Sequence, residues 1–564
     1  MTRHLCAIAL SLSLLTPFVA EAQGVAGSYL AGRQAQYEND FAAIGEYYAD
    51  ALRRDSSNPR MVEAALIAFV NQGDMARAIT LANRFNLTGA QNQVSNIVYT
   101  AEQAASGNFA RLAEDLTAGR EIGPLVDGLL LGWAALGEGD VTGAMEQFDT
   151  VSQQQGLGGF ANYHKALATA VVGDFEGALA LFGPETAGSL ANTRRSVMMR
   201  AEMLSQLDRN TDAIELLETA FDGDLDPGLR DLRMKLADGQ MVPFTGVTSA
   251  QDGLAEVFFT VAAALRNETS PDYTLLYART ADYIRSDFVD AVIMSAQLLE
   301  ELENYPLAVA AYDRVPRDHL SFHAAEIGRA EALYSGGNPD AAIEVMQQLM
   351  ETHGDIAVVH STLGDIFRRE ERYDDASQAY DRALDLTPSD DPNAWFLHYA
   401  RGITHEREDR WFKAEEDFRK ALELRPGQPS VLNYLGYSLV EKDMKLDEAL
   451  EMIEQAAEAR PDSGYILDSL GWVFYRLGRY QEAVEPMEKA AALMPVDPIV
   501  NDHLGDVLWA VGRQTEARFQ WSRALSFDPE EDDAERIRRK LEVGLDIVLE
   551  EEGEPPLPKA DQDG

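Results

Sequence analysis

Apolar positions along the chain recur at helical spacing and in paired runs. In the final third each pair starts near a glycine, usually preceded by leucine, and closes on a proline. Gly364, Gly402, Gly436, Gly471 and Gly505 are separated by 38, 34, 35 and 34 residues. Pro388, Pro426, Pro461, Pro495 and Pro529 step by 38, 35, 34 and 34. A second small position follows at Ala376, Ala414, Ala449, Ala483 and Ala517. Four residues on stands a large apolar one: Tyr380, Phe418, Ile453, Met487 and Trp521. Three further comes alanine again, at Ala383, Ala421, Ala456, Ala490 and Ala524. Steps of four and three keep these side chains on one helical face. The pattern predicts two antiparallel helices per unit. The glycine lets the second helix approach, the large residue fills the groove to the next unit, and proline ends the run. One unit cannot bury its apolar face alone, so the units must stack.

The period and its small-residue positions are those of the tetratricopeptide repeat. Weaker versions run upstream, at 66–82, 132–148, 166–182, 201–220, 296–315 and 330–346, giving about 10 to 13 helical pairs. The expected fold is all-α: a solenoid of helical hairpins wound as a superhelix, in two segments. Divergent repeats occupy 23–220, a joint 221–252, and the main array 253–529, clearest over 357–529. The joint is marked by Asp, Gly and Pro and by "MVPFTGVTSAQDG". Ile537, Leu541, Leu545 and Val548 predict a single capping helix over 533–549, within a cap segment 530–549 that covers the last apolar face. The acidic, proline-containing stretch 550–564 reads as a disordered tail.

Residues 1–22 read as a signal peptide: Arg3 at the start, an apolar core over 5–19, and Ala20-Glu21-Ala22 as a small-x-small site with cleavage expected after Ala22. The core is shorter than the roughly 20 residues of a comfortable span. The single cysteine, Cys6, lies inside it, too early to be a lipidated position. A mature chain without cysteine suits an oxidising compartment, so the expected location is the periplasm. Outer-membrane association stays open, and no later segment is apolar enough to span a bilayer. The 94 acidic against 48 basic residues leave a net charge of −46, which disfavours nucleic acid and anionic lipid.

No phosphate loop, nucleophile elbow or metalloprotease histidine pair is present. The chain is therefore read as non-enzymatic, with no cofactor and no metal. Two weaker constellations run against that reading. Asp222, Asp224 and Asp226 alternate as in a calcium loop, but Pro227 replaces the turn glycine and Arg233 the closing glutamate. His319, His323 and Glu326 would share a face if all were helical. Both fit ordinary turn and repeat residues better than ligand sets.

In such a stack the first helix of each pair lines the inner side. The inward positions are Asp365, Arg368, Tyr399, Ile403, Asn433, Tyr437, Asp468, Trp472, Tyr475, Asp502, Asp506 and Trp509. Aromatic residues supply contact area at low entropy cost. The carboxylates favour partners carrying basic as well as apolar residues. The expected partners are proteins or peptides.

The strings "LNYLGYSLVEKDMKLDEALEMIEQA", "GYILDSLGWVFYRLGRYQEAV" and "NDHLGDVLWAVGRQTEARFQWSRAL" resemble a bacterial cell-envelope branch of the tetratricopeptide-repeat family. That branch includes the lipoprotein adaptor of a periplasmic carboxyl-terminal-processing protease, which delivers peptidoglycan hydrolases to it. The resemblance implies a scaffold or adaptor that partners a protease or cell-wall hydrolase. The alternative function is a helical-array enzyme or glycan-processing protein with a pocket near the 221–252 joint.

Overall fold

The computed structural model describes residues 25–221, 225–554 and 557. The signal segment 1–22, Asp222 and Asp224 of the weighed calcium loop, and all of the tail from 558 onward lie outside the described residues. Among those described, the regular elements are 32 α-helices and two short 3-10 turns, with no strand. The all-α stack of hairpins is thus what the chain forms.

Thirteen hairpins among the described residues turn on a residue of positive φ, joined in the Asp443 turn by a second, Lys445. In the early repeats these are Asn39, Gly73, Gly107, Gly139 and Gly173, and in the late ones Asp409, Asp443, Gly478 and Gly512. The left-handed residue lets the last turn of the first helix close on itself. At Gly478 its own amide reaches the Tyr475 carbonyl at 2.9 Å and the next amide, of Arg479, reaches Phe474 at 2.8 Å. Elsewhere Asp, Asn or Glu takes the position (Glu303, Glu371). This hides the repeat from a search for glycine.

Inside each late hairpin a glycine on the first helix receives the large side chain from the second. A Cβ on Gly364, Gly402, Gly436, Gly471 or Gly505 would lie within 3.0 Å of Tyr380, Phe418, Ile453, Met487 or Trp521 respectively. The early pair Gly132 and Phe148 repeats the device. All six large partners are fully buried. The large residue was expected to fill the groove to the next unit; its first seat is instead the glycine of its own hairpin. Only then does a ring such as Phe418 reach the following repeat, 5.2 Å from Tyr434.

The chain divides into two compact units between Val345 and Met346. The segment expected to be a joint is stitched into the first unit. Its Thr245 amide and hydroxyl both donate to Glu202 at 2.9 Å, and its Val242 amide donates to Ser205 at 2.9 Å. Arg195 donates to the Gly246 carbonyl at 2.9 Å. Val247 is fully buried.

In the first unit, helices Pro59–Gln72, Gln93–Ala105, Pro124–Gly137 and Gly158–Val171 are the first members of four successive hairpins. The hairpin of Ala250–Leu265 and Pro271–Ile284 packs across them and fills the surface they would otherwise offer. Its docking is polar as well as apolar. Tyr163 donates to Glu256 at 2.7 Å, Asn71 donates to the Asp272 carbonyl at 2.8 Å, and Tyr273 donates to Gln93 at 2.8 Å. Arg195 bonds the fully buried Glu256 at 2.9 Å and reaches Asp290 at 2.6 Å. Burial opposes the Arg195 charge, but the two carboxylates more than offset it and hold its pKa above normal.

At the centre of this contact the Trp133 indole donates to His164 Nδ1 at 3.1 Å. Indole can only donate, so Nε2 carries the proton and meets Thr260 Oγ1 at 3.1 Å. Burial pushes the His164 pKa down to about 3. The unfolded chain takes up this proton below about 6.5 and the folded one does not, so stability falls as the pH drops through that window. The expected loss is about 1.4 kcal/mol per pH unit between 6.5 and 3. Urea titrations over that range check it, with His164→Gln flattening the dependence. Gly253 lies directly under the Trp133 ring. Gly253→Ala is expected to cost about 1–3 kcal/mol by overpacking, read by the same denaturation.

Candidate protein-binding groove

In the second unit the first helices are Ala357–Arg369, Trp395–Arg407, Pro429–Glu441, Gly464–Arg476 and Pro498–Ala510. Proline at the first turn of two of them, with Gln428 and Asp497 capping from outside, fixes where they begin. Six residues before each repeat glycine stand Val358, Phe396, Ser430, Tyr465 and Ile499. The four apolar members are 46, 39, 66 and 51 % exposed. Large apolar side chains recurring in the open at one register position form a patch of the kind that meets partners.

Between these helices lie two adjoining cavities of about 350 and 370 Å³, which share Tyr437, Glu441 and Ile499. The first is walled by Tyr434, Tyr437 and Tyr465 with Glu406, Asp468 and Asp497 around them. The second continues past Trp472 and His503 to the terminal helix Glu531–Val543. Burial raises the Tyr437 pKa, and Glu441, Asp468 and Asp533 raise it further against Arg476. The groove is therefore acidic and aromatic.

The inward positions read from the sequence separate into two sets. Asn433, Tyr437, Asp468 and Trp472 line the groove. Asn433 Oδ1 is buried and has no hydrogen-bond partner among the described residues. Asp468 meets His503 Nδ1 at 3.0 Å. Burial alone would lower the His503 pKa, but Asp468, Asp502 and Asp506 together raise it. Trp472 stacks on His503 at 4.1 Å and on Tyr475 at 4.9 Å, and donates to Glu441 at 2.7 Å.

The remaining positions are engaged within the stack, although Asp502 also reaches the wall of the second cavity. Tyr380 donates to Asp365 at 2.7 Å, and Arg368 bonds Asp365 at 3.3 Å. Tyr399 packs on Trp395 and Tyr434, and Ile403 packs in the same cluster. Tyr475 is nearly buried under Trp472. Trp509 packs on Trp521 and donates to Asp546 at 3.0 Å. Asp502 and Asp506 hold the fully buried Lys540 at 2.7–2.9 Å. Burial and the neighbouring Asp506 raise the Asp502 pKa, with Lys540 opposing. Lys540 and His503 lie 34 or more residues from the carboxylates they meet, and nothing local in the sequence links them.

The terminal helix expected over 533–549 is two, Glu531–Val543 and Leu545–Glu552. The break falls at Gly544, whose φ of 91° turns the chain over the Trp509 ring. His319 sits in the turn before helix Phe322–Ser335, so the face proposed for His319, His323 and Glu326 does not form. Glu326 is bound to Arg329 at 2.5 Å. Asp226 caps Pro227–Ala237 and bonds Arg194 at 2.5 Å. No grouping of three metal-ligating side chains occurs among the described residues.

The tetratricopeptide repeat family model matches residues 293–352, 361–429 and 444–498. These segments are similar to tetratricopeptide repeats. Over 184 residues the chain is 26% identical to TPR repeat-containing protein PA4667 of Pseudomonas aeruginosa, a match covering 32% of this chain and 30% of that relative. Similar solved structures include the APC/C hetero-tetramer Cut9–Hcn1, at TM-score 0.39 and 14% identity, covering 94% of this chain and 97% of that one. Yeast Tom70 matches at TM-score 0.36 and 14% identity, over 94% and 98%. Tetratricopeptide repeats are scaffolds for contacts between proteins. No helix among the described residues is long and apolar enough to cross a membrane.

Lys540→Met removes the ammonium that Asp502 and Asp506 share and leaves them only Arg536, at 3.9 and 3.5 Å, as a cation. It is expected to cost roughly 3–5 kcal/mol, with hydrogen exchange accelerating first in residues 531–552.

Proposed function

We propose that the chain is a non-enzymatic scaffold of the bacterial cell envelope which holds a segment of another protein in the groove of its second unit. The observation that carries this reading is the contrast between two equivalent surfaces. In the first unit the inner helices are covered by the chain's own hairpin 250–284. In the second, the matching helices leave Tyr465 and Ile499 exposed beside an acidic, aromatic cavity. That chemistry suits a partner with apolar and basic residues. Asn433, Tyr437, Asp468 and Trp472 are the inner-face residues assigned to contact.

The periplasm is the proposed location, supported by the signal-like pattern of residues 1–22. A protease or cell-wall hydrolase is the proposed partner class. It is supported by the envelope-branch resemblance of 432–529, and attachment to the outer membrane would accompany such a role. Fractionation of the native host tests the location, and recovery in the cytoplasm overturns it. A photo-crosslinking amino acid placed at Tyr465 or Ile499 is expected to give discrete adducts, and one at Phe519, exposed on a second helix, none. Adducts equal at all three sites would remove the groove from the account.

A further inference from the structure

Hydrogen-bond capacity in the first cavity is unevenly used. Glu441 accepts from Trp472 through Oε1 alone, and Asp497 caps its helix through Oδ1 alone. Among the described residues, Glu441 Oε2, Asp497 Oδ2 and the buried Asn433 Oδ1 have no hydrogen-bond donor, and the Tyr437 hydroxyl has no hydrogen-bond partner. Three cations stand at its edges: Arg407 lines the cavity beside the Tyr434 hydroxyl, Lys442 lies 3.6 Å from Glu406, and Arg476 pairs with Glu441 through Oε1 at 3.9 Å, which leaves Glu441 Oε2 and Asp497 Oδ2 to face the cavity. The cavity is thus a set of acceptors lacking donors, between tyrosine rings.

We propose that this cavity seats the guanidinium of an arginine presented by a partner protein, with an apolar neighbour of that arginine resting on Ile499 and Tyr465. The inference rests on the groove reading above and specifies its occupant. Guanidinium carries five donors and no acceptor in one plane, and it stacks on aromatic faces, so it complements both the acceptors and the walls. Lysine offers three donors from a point charge and cannot stack as a plane. A volume of about 350 Å³ accommodates the side chain with part of its backbone. The carboxylates do not converge as a metal site.

The test is affinity selection on the full chain with capped heptapeptides. These have arginine, lysine, citrulline or glutamate at the centre and randomised flanks. Arginine peptides are expected to be retained about tenfold over their citrulline counterparts, a neutral isostere, as fits the loss of charge-assisted bonds. Preference should fall at high salt. In Glu441→Gln/Asp497→Asn, which keeps both the Trp472 acceptor and the helix cap, the ratio of arginine to citrulline retention is expected to fall to about one. Circular dichroism verifies the fold of the variant. Equal retention of arginine and citrulline peptides overturns the guanidinium seat and leaves the groove reading standing. Preference for lysine over arginine also overturns it. Retention of no peptide class overturns both.

Discussion

The architecture depends on a void the size of one methyl group. Where the first helix of a hairpin carries glycine, the side chain sixteen or seventeen residues later lies on bare backbone, closer than any Cβ would allow. That contact draws two helices together and places the alanines on either side of the large residue in the seam, where they are fully buried. Tyrosine, phenylalanine, isoleucine, methionine and tryptophan all serve as the large member, because the seat selects for bulk against a flat surface and for little else. Each hairpin still leaves one face uncovered, and stacking follows from that alone.

The same stacking logic produces opposite results in the two units. In the first, a hairpin that buries Leu254, Val257, Phe258, Leu275 and Leu276 lies across the inner helices, and a chain of polar contacts from Trp133 through His164 to Thr260 fixes its position. Arg195 ties that hairpin to the neighbouring segments by meeting Glu256, Asp290 and the Gly246 carbonyl. In the second unit, among the described residues, the final helices cover only the inner positions of the last repeat. The polar groups of the other inner helices are only partly matched to one another, which leaves a surface suited to another molecule.

Acidity is distributed with similar purpose. Many carboxylates are committed to arginines one helical turn away, as in Arg372–Asp375, Arg479–Glu482 and Arg513–Glu516. Exposed pairs of this kind contribute little to stability. Buried ones have structural consequences: Asp502 and Asp506 take in Lys540 and thereby fasten the final helices over the last repeat. Around Tyr437, Glu441, Asp468 and Asp533 outnumber the opposing Arg476, which makes that part of the groove acidic.

Repeat period, helix pairing and the small-large alternation were legible from residue order, because a seat on glycine needs residues at fixed separation within one hairpin. The inner-face register was legible for the same reason and placed Asn433, Tyr437, Asp468 and Trp472 on the groove. Tyr465 and Ile499 carry an overlooked signal, since they stand six residues before their glycines as Val358 and Phe396 do. Tertiary structure alone decided which inner residues are free. Whether Asp502 faces a partner or a lysine depends on a helix 38 residues away. Whether a row of inner helices is open depends on a hairpin that returns from downstream, with contacts spanning 93 to 201 residues. Local periodicity encodes how a hairpin closes; it contains no term for which distant segment will come to lie upon it.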